Sequence, residues 1–219
     1  MPDEISPTQF DTAGVAEWRV VGDGVCAYYL TGSFAAGAGF VRRISELADL
    51  EPRHPDVDVR HEGVLVRLIT YAPGFFGLSR RDLELAQQIS AVARDQGLSA
   101  DPSLIQAFNI TIDAFVLDDV LPFWRAILGY SDRGDGPEDI IDPRWRGPTV
   151  WFQQMAEPRT ERNCIHLDVW VPKELAQARV DAAIAAGGHL VSDAGAPAWW
   201  VLSDAEGNEA CVSSIAGRG

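Results

Sequence analysis

Asp49-Leu50-Glu51-Pro52-Arg53-His54-Pro55-Asp56-Val57-Asp58-Val59 is the stretch where a helical pattern gives way to a strand. Pro52 and Pro55 lack amide donors and bias their neighbours toward extended backbone, so the preceding helix must end and His54 sits on a stiff segment. An imidazole held this way suits acid/base work, because its pKa lies near neutrality. Upstream, Ser33 precedes Phe40, Ile44 and Leu47 at helical spacing. Gly37 and Gly39 inside that pattern cost about 1 kcal/mol each relative to alanine, which points to close packing. Farther upstream, residues 18–21 and 25–30 flank Gly22-Asp23-Gly24 and predict a hairpin. Downstream, Val57 and Val59 alternate with Asp58 and Arg60, and Val64, Val66 and Leu68 alternate after His61-Glu62-Gly63, which predicts a second hairpin. Ser79 then opens a helix with Leu85, Ile89 and Val92 as its buried stripe, ending at Gly97. Two hairpins and two substantial helices predict an α+β fold, an antiparallel sheet layered with helices.

These residues carry a resemblance. Trp18, the order Asp49-x-x-x-Arg53-His54-Pro55, then Thr70-Tyr71 and Gly77-Leu78-Ser79-x-Arg81-Asp82, resembles the pterin-4a-carbinolamine dehydratase family. That family's motif has two adjacent histidines before the proline and a third after the threonine. Arg53 and Tyr71 stand where two of these would be, and His54 is the one that remains. The resemblance implies loss of water from a 4a-hydroxytetrahydropterin, with no cofactor. The implied catalytic residues are His54, Asp49, Tyr71 and Asp82, with Trp18, Arg53 and Pro55 on the substrate. Arg53 stays charged and cannot act as a base, although it can orient the pterin carbonyl by donating hydrogen bonds. Asp82 also lies three residues after Ser79, the spacing of a helix-capping box, which accounts for it without chemistry. Trp18 is equally well placed for the core.

Residues 98–103 are polar, contain Pro102 and read as a linker, so the expected domains are 1–99 and 104–219. The remainder of the chain is built twice. Residues 105–114 alternate, with Asn109, Thr111 and Asp113 on the polar face, and a helical pattern then runs to Gly129. Residues 164–171 alternate likewise, with His166, Asp168 and Trp170 opposite Ile165, Leu167 and Val169, and a second helical pattern ends at Gly187-Gly188. Each unit continues into shorter strands. The paired βαβββ arrangement, with Phe123-Trp124-x-x-Ile127-Leu128-Gly129, Ile165-His166-Leu167-Asp168-Val169 and Leu202-x-Asp204-x-Glu206-Gly207-Asn208-Glu209, resembles the glyoxalase-like branch of the vicinal oxygen chelate superfamily.

In that superfamily a divalent cation is held from four strand positions, which the motifs place on Asn109, Gln153, His166 and Cys211. Asn and Gln amides are poor ligands for transition metals. Glu209 lies two residues before Cys211 on the same strand face. The candidate metal ligands are therefore His166, Glu209 and Cys211, and the expectation is a metal-free cup holding a second small organic molecule among Trp151, Gln153, Asp168, Trp170 and His166. The alternatives left open are a non-catalytic binding or dimerisation protein and a metal-dependent glyoxalase or dioxygenase.

The 219-residue chain is long enough for a core in each domain, and its net charge of −14 argues against a nucleic-acid partner. No run of about 18 uncharged apolar residues is present, so no membrane partner is expected. Cys26, Cys164 and Cys211 have neither disulfide-framework nor zinc-ribbon spacing, which suits a reducing cytoplasm. The dehydratase resemblance further implies a pterin-type ligand and a homo-oligomer.

Overall fold

The computed structural model describes residues 2–47, 50, 54–158 and 165–217, and it divides into two units, Met1–Phe108 and Asn109–Gly219. Asp49, Arg53 and Cys164 lie outside the described residues. No helix among the described residues is long and apolar enough to cross a membrane.

The first unit begins with a short helix α1 (Pro7–Asp11), entered through a capping box in which Ser6 and Gln9 exchange hydrogen bonds. Strands β1 (Arg19–Val21) and β2 (Gly24–Leu30) form the first hairpin, and α2 (Phe34–Ser45) comes next, with the Ser33 hydroxyl accepting from the Ala36 amide. Then come β3 (Asp56–Val59), β4 (Gly63–Leu68), a small hairpin of β5 (Thr70–Ala72) and β6 (Phe75–Gly77), and the long helix α3 (Arg80–Asp95). The main sheet runs β1-β2-β4-β3 with antiparallel neighbours. Val25, Ala27 and Tyr29 on β2 and Val64, Val66 and Leu68 on β4 face one way and pack with Phe40, Ile44, Leu85 and Ile89. The period-two alternation thus supplies one dry face, and the period-3.6 stripes of the helices cover it. Gly37 is needed for this packing, since a Cβ there would come 3.0 Å from both Val59 and Val64. Gly39 meets nothing within 4 Å, so close packing accounts for one of the two glycines only.

The expected linker is partly a strand: β7 (Ser99–Ala100) pairs with Tyr29 and Leu30 on the same edge of β2 that β1 occupies farther back. A 3-10 turn, Pro102–Leu104, comes after it, and the division falls at Phe108 rather than near residue 100.

The second unit is two copies of one plan. The first is β8 (Ile110–Ala114), α4 (Leu117–Leu128), β9 (Ser131–Asp132), β10 (Asp139–Ile141) and β11 (Val150–Gln154). The second is β12 (Leu167–Trp170), a 3-10 turn, α5 (Ala176–Ala185), β13 (His189–Ser192), β14 (Trp199–Ser203) and β15 (Glu209–Ser213). The sheets run β8-β11-β10-β9 and β12-β15-β14-β13, and in each the first strand lies parallel to the last. A parallel pair needs a crossover, which the helix supplies. Gly129 ends α4 in the left-handed conformation, as its place in the sequence predicts. The strand expected from residue 105 starts at Ile110, because its partner β11 begins at Val150 and offers nothing earlier to pair with.

Candidate functional site

In the first unit His54 leads directly into β3 and is exposed, with Nδ1 3.2 Å from the Pro55 carbonyl oxygen. A proton on Nδ1 is donated to that carbonyl, and this tautomer leaves Nε2 as the acceptor. Asp56, two residues on, lies across from Arg67 on β4, at 4.0 Å from its guanidinium. Burial pushes the Asp56 carboxyl up, and the opposing pull of Arg67 and then His54 does not cancel it. The next residue across the sheet is Cys26, whose thiol burial also pushes up. Sequence alternation puts His54 and Asp56 on one face, but the Arg67 pairing appears only with the strand register.

Asp82 occupies the closed half of this region. One of its carboxylate oxygens accepts from the Ser79 amide at 2.7 Å, the Ser79 hydroxyl at 2.8 Å and the Thr70 hydroxyl at 2.7 Å. This is the capping box that the spacing predicts, extended to Thr70 at the start of β5, and it locks the small hairpin to the mouth of α3. Tyr71 is half-buried with its ring edge-on to Phe76, centroids 6.0 Å apart. Trp18 lies in the core: it is 2% exposed and its indole N–H donates to the Ser90 hydroxyl at 3.0 Å. Pro55 is buried. The structure therefore groups Asp82 with Thr70 and Ser79, places Trp18 beneath the sheet, and leaves His54 facing solvent.

In the second unit a cavity of about 450 Å³ lies along β8 and β12, the outer strands of the two sheets. Ile110, Ile112 and Leu167 give it apolar walls, and Thr111, Asp113, His166 and Glu209 bring polar groups. Of the residues expected to line one cup, Trp151 instead borders a separate hollow of about 200 Å³ with Glu138 and Gln154. Gln153 and Trp170 are exposed and border neither. Thr111 and Asp113 are legible as the polar face of β8, but their role in a cavity depends on which strands are outermost. The loop before β15 is held by Asp204, which accepts from the Trp124 indole, the Glu206 and Asn208 amides and the Asn208 side chain.

His166 Nδ1 lies 3.3 Å from an Asp168 carboxylate oxygen and 3.7 Å from the Cys211 sulfur. Asp168 and Cys211 face each other in the parallel register of β12 and β15, and the three donor atoms lie within 4.8 Å of one another. Imidazole, carboxylate and thiolate together make a donor set that fits a divalent transition metal. Asp168 takes the place in this cluster expected for Glu209, which borders the cavity instead.

Known proteins resemble the two units separately. The pterin 4 alpha carbinolamine dehydratase family model matches residues 3–92, and that of a glyoxalase-like domain matches residues 109–213. A Nocardia farcinica protein named "Putative pterin-4-alpha-carbinolamine dehydratase" is 36% identical over 92 residues, spanning 41% of this chain and 95% of that protein. One of the same name from Thermomicrobium roseum is 33% identical over 76 residues, spanning 35% of this chain and 80% of its own length. Among solved structures, a glyoxalase/bleomycin resistance protein/dioxygenase family enzyme of Burkholderia phytofirmans is 19% identical with a TM-score of 0.39, covering 49% of this chain and 96% of that one. A glyoxalase-related enzyme from Fulvimarina pelagi is 20% identical with a TM-score of 0.41, covering 51% and 88%.

Proposed function

We propose a function from one premise: the chain belongs, through residues 3–92, to the pterin-4-alpha-carbinolamine dehydratase family. The first unit then removes water from a 4a-hydroxytetrahydropterin. The bond from C4a to its hydroxyl oxygen breaks as that oxygen gains a proton, and N5 loses its proton as the double bond to C4a forms. His54 is the group assigned to proton transfer, because an imidazole both gives and takes a proton near neutral pH. The observation that carries this reading is an exposed histidine on a proline-stiffened strand entry, inside the stretch matched by the family. Tyr71 and Arg53 supply hydrogen bonds where the family has two further histidines, so the rate is expected to be lower than for a three-histidine site. Asp82 contributes by fixing the Thr70–Ser79 corner next to Tyr71. Trp18 and Pro55, both buried, hold the surrounding frame.

The glyoxalase-like unit is proposed to bind a small organic molecule in its cavity, whose volume suits such a ligand. A divalent ion in this unit would be held by His166, Asp168 and Cys211, where it would polarise a bound oxygen as a Lewis acid.

The full chain is tested by following dehydration of a 4a-hydroxytetrahydropterin against the spontaneous rate. Acceleration by the wild-type chain that falls at least tenfold in His54→Ala supports the assignment. Equal acceleration by both removes His54 from the chemistry, and no acceleration with saturable pterin binding turns the first unit into a binding module.

A further inference from the structure

In a chain with 32 acidic and 18 basic residues, an arginine is expected to find a carboxylate. In the second unit Arg125 pairs with Asp132, and Arg133 pairs with Asp135 and Asp139. Arg144, Arg146 and Arg179 have no carboxylate at ion-pair distance among the described residues. Arg144 and Arg146 belong to the turn after β10. Asp142 builds that turn by accepting from the backbone amides of Arg144 at 2.9 Å, Arg146 at 3.1 Å and Gly147 at 3.1 Å. Between the two arginines, Trp145 takes φ 56°, a left-handed conformation that a bulky residue rarely adopts. The Asp142 carboxylate is thus held by main-chain donors, and the Arg146 charge attracts it from beyond ion-pair distance.

Packing brings Arg179 to the same place. A Cβ on Gly147 would collide with the Tyr130 hydroxyl, so the turn sits directly on Tyr130. The neighbouring residue, Gly129, lies under the Arg179 guanidinium, where a Cβ would come 3.0 Å from Nη1. That nitrogen donates to the Ile127 carbonyl at 2.9 Å, which leaves the rest of the fork without an acceptor among the described residues. Burial lowers the Arg179 pKa, and the Arg144 charge lowers it further. Arg144 and the half-buried Arg179 repel one another, and an anion that accepts from both guanidiniums, with Arg146 on the same turn, would stabilise them.

We infer that Arg144, Arg146 and Arg179 form a binding site for a phosphate group, free or as a monoester. The site lies apart from the cavity along β8 and β12 and is independent of the dehydration reading. Phosphate suits it because a dianion with three terminal oxygens engages more than one guanidinium fork.

The test is calorimetric titration of the full chain with inorganic phosphate and with methyl phosphate, at constant ionic strength set by chloride. Saturable binding is expected, weakened at least tenfold in Arg144→Ala/Arg146→Ala, whose side chains are exposed and whose removal spares the Asp142 amide bonds. Arg179→Lys, which keeps the charge and loses the fork, is expected to weaken it as well. Tighter binding of methyl phosphate marks an ester as the source, and tighter binding of inorganic phosphate marks the free ion. The proposal is overturned by the absence of saturable binding, by equal binding in the wild type and the double variant, or by an equal loss in Arg60→Ala on the first unit.

Discussion

Each unit has an exposed imidazole at its candidate site, His54 in the first and His166 in the second, and different neighbours steer them. His54 is oriented by the carbonyl of the proline beside it, a partner supplied by the chain itself. His166 has a carboxylate and a thiol at the same nitrogen, so its surroundings change character with proton or metal. Because thiolate and carboxylate bind a metal in deprotonated form, the affinity of such a cluster rises with pH. Zinc titration of the chain at neutral pH is expected to show binding that His166→Ala weakens at least tenfold, and unchanged affinity in the variant would dismiss the cluster as a ligand set. The superfamily resemblance puts His166 and Cys211 among the metal positions, and the spacing to Cys211 favours Glu209 over Asp168. Both carboxylates satisfy the period-two rule, and the choice rests on register, which pairs Asp168 with Cys211. Asp82 shows the complementary case: its cap on Ser79 comes from spacing, whereas its bond to Thr70 requires β5 to pass the start of α3.

Helix α4 lacks a local cap and recruits one from elsewhere in the chain. Val116 precedes α4 and has no side-chain oxygen to offer. The Glu206 carboxylate accepts instead from the amides of Phe115, at 2.7 and 2.9 Å, and Val116, at 2.6 Å. A negative charge at a helix start also opposes the helix dipole favourably. Glu206→Ala is therefore expected to cost about 1–2 kcal/mol, seen as a lower denaturant midpoint for the glyoxalase-like unit, and an unmoved midpoint would count against the cap. This bond spans 90 positions and leaves no local trace in the sequence. Helix spans themselves are well marked, because Ser33, Ser79, Gly97 and Gly129 are terminal signals that act within a turn. Strand starts are less legible: alternation tells which face a residue takes, while the partner's length decides where pairing begins.

The two hydrophobic clusters share no residue, one built around Phe10, Tyr29 and Phe40, the other around Phe123, Trp124 and Phe152. Phe40 and Phe123 are both fully buried. Phe40→Ala should weaken the first unit and Phe123→Ala the second, each by about 3–5 kcal/mol. Amide exchange mapped along the chain checks this: protection should fall on β2 and β4 in one variant and on β11 and β15 in the other. Loss of protection across both units from either change would contradict separate cores. The two-family organisation is legible from motifs because each motif set sits within a single unit.

Strand β7 gives the fusion a particular anatomy. The dehydratase family stretch stops at residue 92, but the sheet it belongs to is completed by Ser99 and Ala100, residues that a motif-based boundary would discard as tether. The seam between the two families is woven into the first, so spare length for swapping, tagging or separating the halves begins only after the last paired residue. A fragment ended at the family limit would carry a bare flank on β2, open to pairing with another copy of itself.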